Sequence, residues 1–413
     1  MWELIRANKR NSIFLMVMMA VVLLLLGLII GMAVMGADGG LFGLLVAAIV
    51  WGVLALVSFS SGDQILLAAS NARRITHDVH PQLFNVVEEM KIAAGLPAMP
   101  KVYIINDPAP NAFATGRSPQ SASIAVTAGL LGRLNRDELQ GVIAHEMSHI
   151  VHRDILYITL AGIMLGSVAL LSQVFLRGMF YGSMGSRRRY SSRGRGGGQA
   201  QALFLLIALV AAILAPLMAH LLYFALSRRR EYLADAGAVR LTRYPEGLAS
   251  ALEKIANDPS PQLASAGKAT APMYIANPLK RRGRATLSDL TSTHPPISER
   301  IRILRSMSHG AAYRDYAEAF TTVTRGKNIL PAAALTEEQV ALRQGQAEPI
   351  KDQQPQAQVH QIGDLMRRAN GFLFLTCACG LKLKVPPDFK PDTVRCPRCS
   401  RILPLQPHRQ NRT

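Results

Sequence analysis

Residues 145–149 read His145-Glu146-Met147-Ser148-His149. Upstream, Asn135 is followed three residues on by Glu138, a capping-box pattern that predicts a helix running through Val142, Ile143 and His145 toward His152. Four helical residues turn the chain by about 400°, so His145 and His149 stand one above the other on one face. Two imidazoles spaced in this way can hold one zinc ion. Glu146 lies about 100° further round, beside the metal rather than on it. From there it can take a proton from metal-activated water and hand it to a leaving amine.

A catalytic zinc takes three protein ligands and keeps one position open. Two candidates exist for the third ligand. His152 is one turn beyond His149 on the same helix and swings round to the metal only with difficulty. Glu231 is the stronger candidate. It opens Glu231-Tyr-Leu-Ala-Asp235, which places Asp235 one turn later on the same face. From that position Asp235 can accept the spare N–H of a ligand histidine and fix its tautomer.

The surrounding chain is clumped. Of 413 residues 49% are hydrophobic, too many for a disordered protein, and four cysteines are too few for a disulfide-stapled one. Uncharged runs cover 11–37, 39–62, 155–176 and 196–227, each long enough for the roughly 20 residues that span a bilayer. The first run exceeds the core of a secretory signal and is followed at once by a second, so the pair reads as a hairpin. Arg6, Lys9 and Arg10 precede it, Arg73 and Arg74 follow it, and the link around Asp38 has no basic residue, which puts both ends in the cytoplasm. The other two runs are joined by a link with Arg177, Arg187, Arg188, Arg189, Arg193 and Arg195. Four spans are favoured, although that puts a basic link outside; a pair of runs buried or lying in the interface is the other reading. Because Glu231 and His145 meet at one metal, these two runs begin and end on the same side under either reading.

Between the runs the chain reads as α+β. Residues 77–94 have helical spacing, 101–106 read as a strand, and 111–116 and 123–127 as two more. Residues 228–307 read as mostly helical, and 257–284 as a loop. The organisation expected is a transmembrane hairpin at 1–62 and a first catalytic part at 63–154. The second apolar pair with its Arg-rich link follows at 155–227, and a second catalytic part at 228–330. A linker at 331–370 leads to a small unit at 371–413. In that last unit Cys377 and Cys379, then Cys396 and Cys399, form two close pairs around a short hairpin, the layout of a closed, structural zinc ribbon. Residues 381–385, Leu-Lys-Leu-Lys-Val, alternate as a strand does.

These residues together resemble the HtpX-type membrane zinc metalloproteases and, more distantly, the CAAX prenyl proteases. The resemblance covers roughly residues 1–310. It rests on the amino-terminal hairpin, Asn111-Ala-Phe-Ala-Thr-Gly, the His-Glu-x-x-His motif, Glu231-x-x-x-Asp235, and the apolar runs between the metal motifs. It implies a glutamate-ligand zincin fold in the inner (plasma) membrane, with its catalytic domain facing the cytoplasm. The implied activity is endopeptidase cleavage of membrane or misfolded proteins in envelope quality control. His145, His149 and Glu231 would bind the catalytic zinc, with Glu146 as the base. Asn111, Ala112, Phe113 and Ala114 would form an edge strand that pairs with an extended substrate. His294 and Arg300, in a similar segment, would hydrogen-bond the oxyanion or the substrate carbonyl. The partners expected are protein substrates and membrane lipids, with no nucleic acid, since the Arg-rich link shows no aromatic stacking pattern around its arginines. The competing functional class is a membrane-anchored zinc-ribbon adaptor with an inactive zincin-like part. Glu146 separates the two, because the complete catalytic set favours the enzyme.

Overall fold

A computed structural model describes residues 2–36, 38–155, 168, 171–178, 198–259, 274–275, 295–326, 330, 335, 339–345 and 363–405. His294, the Arg187–Arg195 part of the link and most of the third apolar run lie outside these residues.

The amino terminus forms two long helices, α1 (Trp2–Met35) and α2 (Gly39–Ala69), packed against each other. Their contact is closest at small residues: a Cβ on Gly43 would overlap the carbonyl oxygen of Gly27. Both helices are long and apolar enough to cross a membrane. Their outer faces leave Ile49 66% and Leu56 68% exposed, a continuous apolar surface that suits lipid rather than water.

Directly after α2 the chain enters a four-stranded sheet. Its strands are β1 (Ala72–Arg74), β2 (Lys101–Ile105), β3 (Ala112–Thr115) and β4 (Ser123–Thr127), in the order β1-β2-β4-β3. β2 and β4 run parallel; the other two pairings are antiparallel. Side chains alternate across the sheet, as the two-residue period requires. Val102, Ile104, Ala112, Ala114, Ile124 and Val126 join the main core. Ile105, Phe113 and Ala125 face the other way, onto Leu66 and Leu67 at the end of α2.

Against the main-core face pack α3 (Pro81–Ala93) and α5 (Arg136–Val151), with the short α4 (Ala128–Arg133) leading into α5. The helix expected from 77 starts at Pro81, capped by His80, whose Nδ1 accepts from the Leu83 N–H at 3.1 Å. α5 carries the expected capping box: Asn135 Oδ1 accepts from the Glu138 N–H and Glu138 Oε2 from the Asn135 N–H, each at 2.8 Å. Every α5 residue from Asp137 to Ile150 is buried, so its sequence has no polar stripe.

The fourth apolar run and the Glu231 segment, read as separate from sequence, form one helix, α6 (Gly198–Thr242). No proline or glycine lies between Pro216 and Glu231 to break it, and Arg228-Arg-Arg, which looked like a boundary, changes hydropathy without changing backbone preference. Ala215 of α6 packs near Met19 and Leu23 of α1, while the far end of α6 enters the catalytic core through Tyr232, Ala236 and Val239. α7 (Pro245–Asn257), α8 (Ile297–Arg305) and α9 (Tyr313–Thr324) close that core.

Part of the stretch expected to be a linker is docked. Arg343 donates to Asp137 Oδ1 at 2.8 Å, to Gln140 Oε1 at 2.6 Å and to the Thr242 carbonyl at 2.9 Å. Met366 is buried in the main core. The carboxy-terminal unit is two hairpins, β5 (Leu373–Thr376) with β6 (Lys382–Val385) and β7 (Thr393–Arg395) with β8 (Ile402–Pro404). Each cysteine pair sits at the turn of its own hairpin, rather than the two pairs bracketing one.

Candidate metal centre

α5 presents His145 and His149 to α6. The two helices approach closely at Gly237, where a Cβ would meet Ser148 of α5 at 2.5 Å, and this close fit sets Glu231 and Asp235 one turn apart beside the histidines. The Nε2 atoms of His145 and His149 are 3.3 Å apart. Each lies 3.6 Å from a different Glu231 carboxylate oxygen. These three side chains form a group of potential ligands with all donor atoms within 4.8 Å of one another.

The outer nitrogens are held by carboxylates. His145 Nδ1 is 2.9 Å from Asp235 Oδ1, and His149 Nδ1 is 3.0 Å from Asp154 Oδ2. With Nδ1–H donating to a carboxylate, each ring turns its Nε2 lone pair inward. Two lone pairs facing each other beside a carboxylate call for a cation. Two ligands about 2.0–2.1 Å from a tetrahedral zinc lie about 3.3–3.4 Å apart, so the imidazole separation fits such an ion.

The carboxylates favour positive charge at this site. Burial pulls the His145 and His149 imidazoles down, but the neighbouring carboxylates outweigh it: Asp235 and Glu231 raise His145, and Asp154 raises His149 to about 10. Burial pushes Glu146 up. Its Oε1 is buried without a hydrogen-bond partner, and the neighbouring Ala114 main chain works against that rise. A water activated at the metal centre would give that oxygen its partner.

Arg300 is fully buried and grips Asp235 with two bonds, Nε to Oδ2 at 2.8 Å and Nη2 to Oδ1 at 2.7 Å. Burial opposes the Asp235 charge, but this guanidinium more than compensates and its carboxyl is held below the usual range. Nη1 of Arg300 lies 3.4 Å from Glu231 Oε2 and donates to the Ile275 carbonyl at 3.0 Å. Arg300 thus reaches a main-chain carbonyl and at the same time buttresses the ligand shell, a double placement the sequence did not suggest.

His152 stays out of the ligand group. Its Nε2 is 3.2 Å from the Tyr313 hydroxyl, and burial pulls its imidazole down to about 4. Asp154 was missed from sequence, since a residue five positions after His149 falls off the helical spacing that brings side chains together. Arg153, in the left-handed region at φ 55°, turns the chain back so that Asp154 meets His149. Ala112 to Ala114 belong to β3, the last strand in the sheet order, and Asn111 precedes it; all four are buried. His294 is not among the described residues.

In the carboxy-terminal unit all four cysteines are free thiols. Cys377 and Cys399 have sulfurs 3.4 Å apart, Cys379 and Cys396 3.7 Å. These separations are far beyond a disulfide bond of about 2.05 Å and near the roughly 3.8 Å between thiolates of a tetrahedral zinc. The four form a second group that could hold a metal ion.

Residues 78–308 match peptidase family M48. The chain is 46% identical over 306 residues to a protease HtpX homolog of Dictyoglomus thermophilum, covering 74% of this chain and 94% of that one. It is 43% identical over 309 residues to a protease HtpX homolog of Listeria monocytogenes serotype 4a, covering 74% of this chain and all of the other. The crystal structure of S. mikatae Ste24p is similar over 62% of this chain and 57% of that one, at 19% identity and a TM-score of 0.38. The matched region holds the two zinc-binding histidines, Glu231 and the strand beside them, and the chain belongs to the HtpX proteases of peptidase family M48.

Proposed function

We propose that this zinc metalloprotease is a membrane-anchored endopeptidase that cuts membrane or misfolded proteins at the cytoplasmic face, as part of membrane protein quality control. The observation that carries the reading is the buried donor set of His145, His149 and Glu231 with the unpartnered Glu146 Oε1 beside it. His145, His149 and Glu231 would hold a zinc ion, which would supply Lewis acidity for the scissile carbonyl and for an attacking water. Glu146 accepts the proton of the attacking water and passes it to the leaving nitrogen. Burial, which raises its carboxyl, suits it to both roles.

Asp235 and Asp154 fix the two imidazoles, and Arg300 fixes Asp235 while offering a donor to a main-chain carbonyl. β3, at the sheet edge, binds extended substrates through backbone groups, which tolerates many sequences. His294 keeps its assignment to the oxyanion or substrate carbonyl on sequence grounds. The four cysteines hold a second, structural zinc.

Orientation follows from β1. It begins three residues after α2 ends, so the catalytic sheet lies on the side of Arg73 and Arg74, the cytoplasmic side by the positive-inside tendency. The polybasic segments face anionic lipid there.

The test is cleavage by the zinc-loaded full chain in detergent of unfolded casein and of a folded protein of similar size. Internal cuts at several sites in casein, with the folded protein spared, are expected. Release of terminal residues only, or equal cutting of both proteins, contradicts the proposal.

A further inference from the structure

The outer edge of β3 is already occupied. Asn111, Phe113 and Thr115 are in register with Thr127, Ala125 and Ser123, and the Thr127 N–H donates to the Asn111 carbonyl. The strand alternation therefore turns the main-chain groups of Ala112 and Ala114 away from β4, toward the cleft. On that side the Ala114 main chain faces Glu146 of α5, so the catalytic carboxylate marks this edge as the one a substrate would use. The Ala112 carbonyl, two residues away, accepts from the Ile275 N–H at 2.9 Å.

Tyr274 and Ile275 continue the sheet's pattern. Tyr274 falls on the Phe113 face, its ring edge-on to Phe113 with centroids 5.1 Å apart. Ile275 falls on the opposite face, in the core with Ala112 and Ala114. Both are 1% exposed. The Ile275 carbonyl accepts from Arg300. Ile275 thus has its N–H on the edge strand and its C=O on a cationic donor that also touches a metal ligand, the two main-chain bonds expected of a substrate residue. The Tyr274 hydroxyl lies 3.3 Å from Ser70 Oγ, at the carboxy-terminal cap of α2.

We propose that Tyr274–Ile275 is an internal occupant of the substrate edge, so that the resting protease is self-blocked and a substrate must displace this dipeptide to pair with β3. The proposal rests on the reading of β3 as the substrate strand. It also gives the subsite a chemistry: the substrate residue that replaces Ile275 carries an aliphatic side chain. The Tyr274–Ser70 contact ties the occupant to the membrane hairpin.

Two measurements on the full chain test this. Ile275→Pro removes the N–H that pairs with Ala112, and Tyr274→Ala removes the ring on Phe113. Both are expected to raise kcat/KM for casein about 3- to 10-fold, mainly by lowering KM, with zinc content unchanged. Unchanged or reduced kcat/KM in well-folded, zinc-loaded Tyr274→Ala overturns the proposal. The second measurement needs no altered segment. In the Glu146→Gln protein, hydrogen exchange is followed in peptides covering Tyr274–Ile275 and covering β3, with and without bound casein. Casein is expected to increase exchange at Tyr274–Ile275 while β3 stays protected. Casein binding that leaves Tyr274–Ile275 protected, with β3 gaining protection, overturns the occupant but keeps the substrate strand. Bound casein that alters neither peptide overturns the reading of β3 itself, and the proposal with it.

Discussion

At the scale of single residues, the metal centre is set by two carboxylates that do not touch the metal. Asp235 was legible because Glu231-x-x-x-Asp235 repeats the one-turn spacing of the histidines. Asp154 reaches His149 only because Arg153 takes a left-handed turn at the end of α5, a backbone choice that no residue type at that position announces. Asp154→Ala should weaken zinc binding about 10- to 100-fold, as loss of such outer partners does; chelator competition on the purified protein measures it, and an unchanged affinity would remove Asp154 from the account. His152 carries a different prediction. Its imidazole is lowered from 6.5 to about 4 by burial, so the unfolded chain takes up a proton at higher pH than the folded one. Stability is therefore lost as pH falls from about 6.5 to about 4, by a few kcal/mol at most. Thermal unfolding of zinc-free protein should show this loss, and His152→Gln should reduce it.

Among the elements, α5 was the most legible and α6 the least. The cap of α5 and its metal-ligand spacing are local features, written within one stretch of sequence. Asn135→Ala should cost about 1 kcal/mol through loss of the cap, measurable by denaturant unfolding. The continuity of α6 was hidden because hydropathy changes at Arg228 while helix propensity does not. One helix therefore joins an apolar half packed on α1 to the half that carries Glu231. Ser227→Pro tests that continuity. In an uninterrupted helix a proline costs about 3 kcal/mol and kinks the axis, so Glu231 should swing away and zinc binding at the catalytic site should fail. If a new helix started after Ser227, proline there would be tolerated and zinc retained.

On the scale of the whole molecule, the contacts that could not be read are the long-range ones. Arg343 looked like one charge in a linker. In the fold it joins the start of α5, through Asp137 and Gln140, to the end of α6, through Thr242. A pairing across about two hundred residues leaves no mark in local composition. The tail is thus bound to the catalytic core, and removing residues 331–413 should lower the melting temperature of the remaining chain. The four-cysteine group was legible from its spacing, although the position of each pair at its own hairpin turn was not. Cys396→Ser should reduce bound zinc from about two per chain to about one, with the catalytic ion retained; metal counting on the purified variant checks this.

The measurement that bears most directly on the catalytic assignment compares the wild type with Glu146→Gln, both purified in detergent with zinc. Bound zinc is counted and casein cleavage is assayed on the same samples. Equal zinc in the two proteins is expected, with cleavage by the wild type and a loss of about 10²- to 10⁴-fold in the variant, the range for removing a general base. Cleavage that survives the substitution, or a zinc-loaded wild type and Tyr274→Ala variant that both fail to cut, would contradict the account.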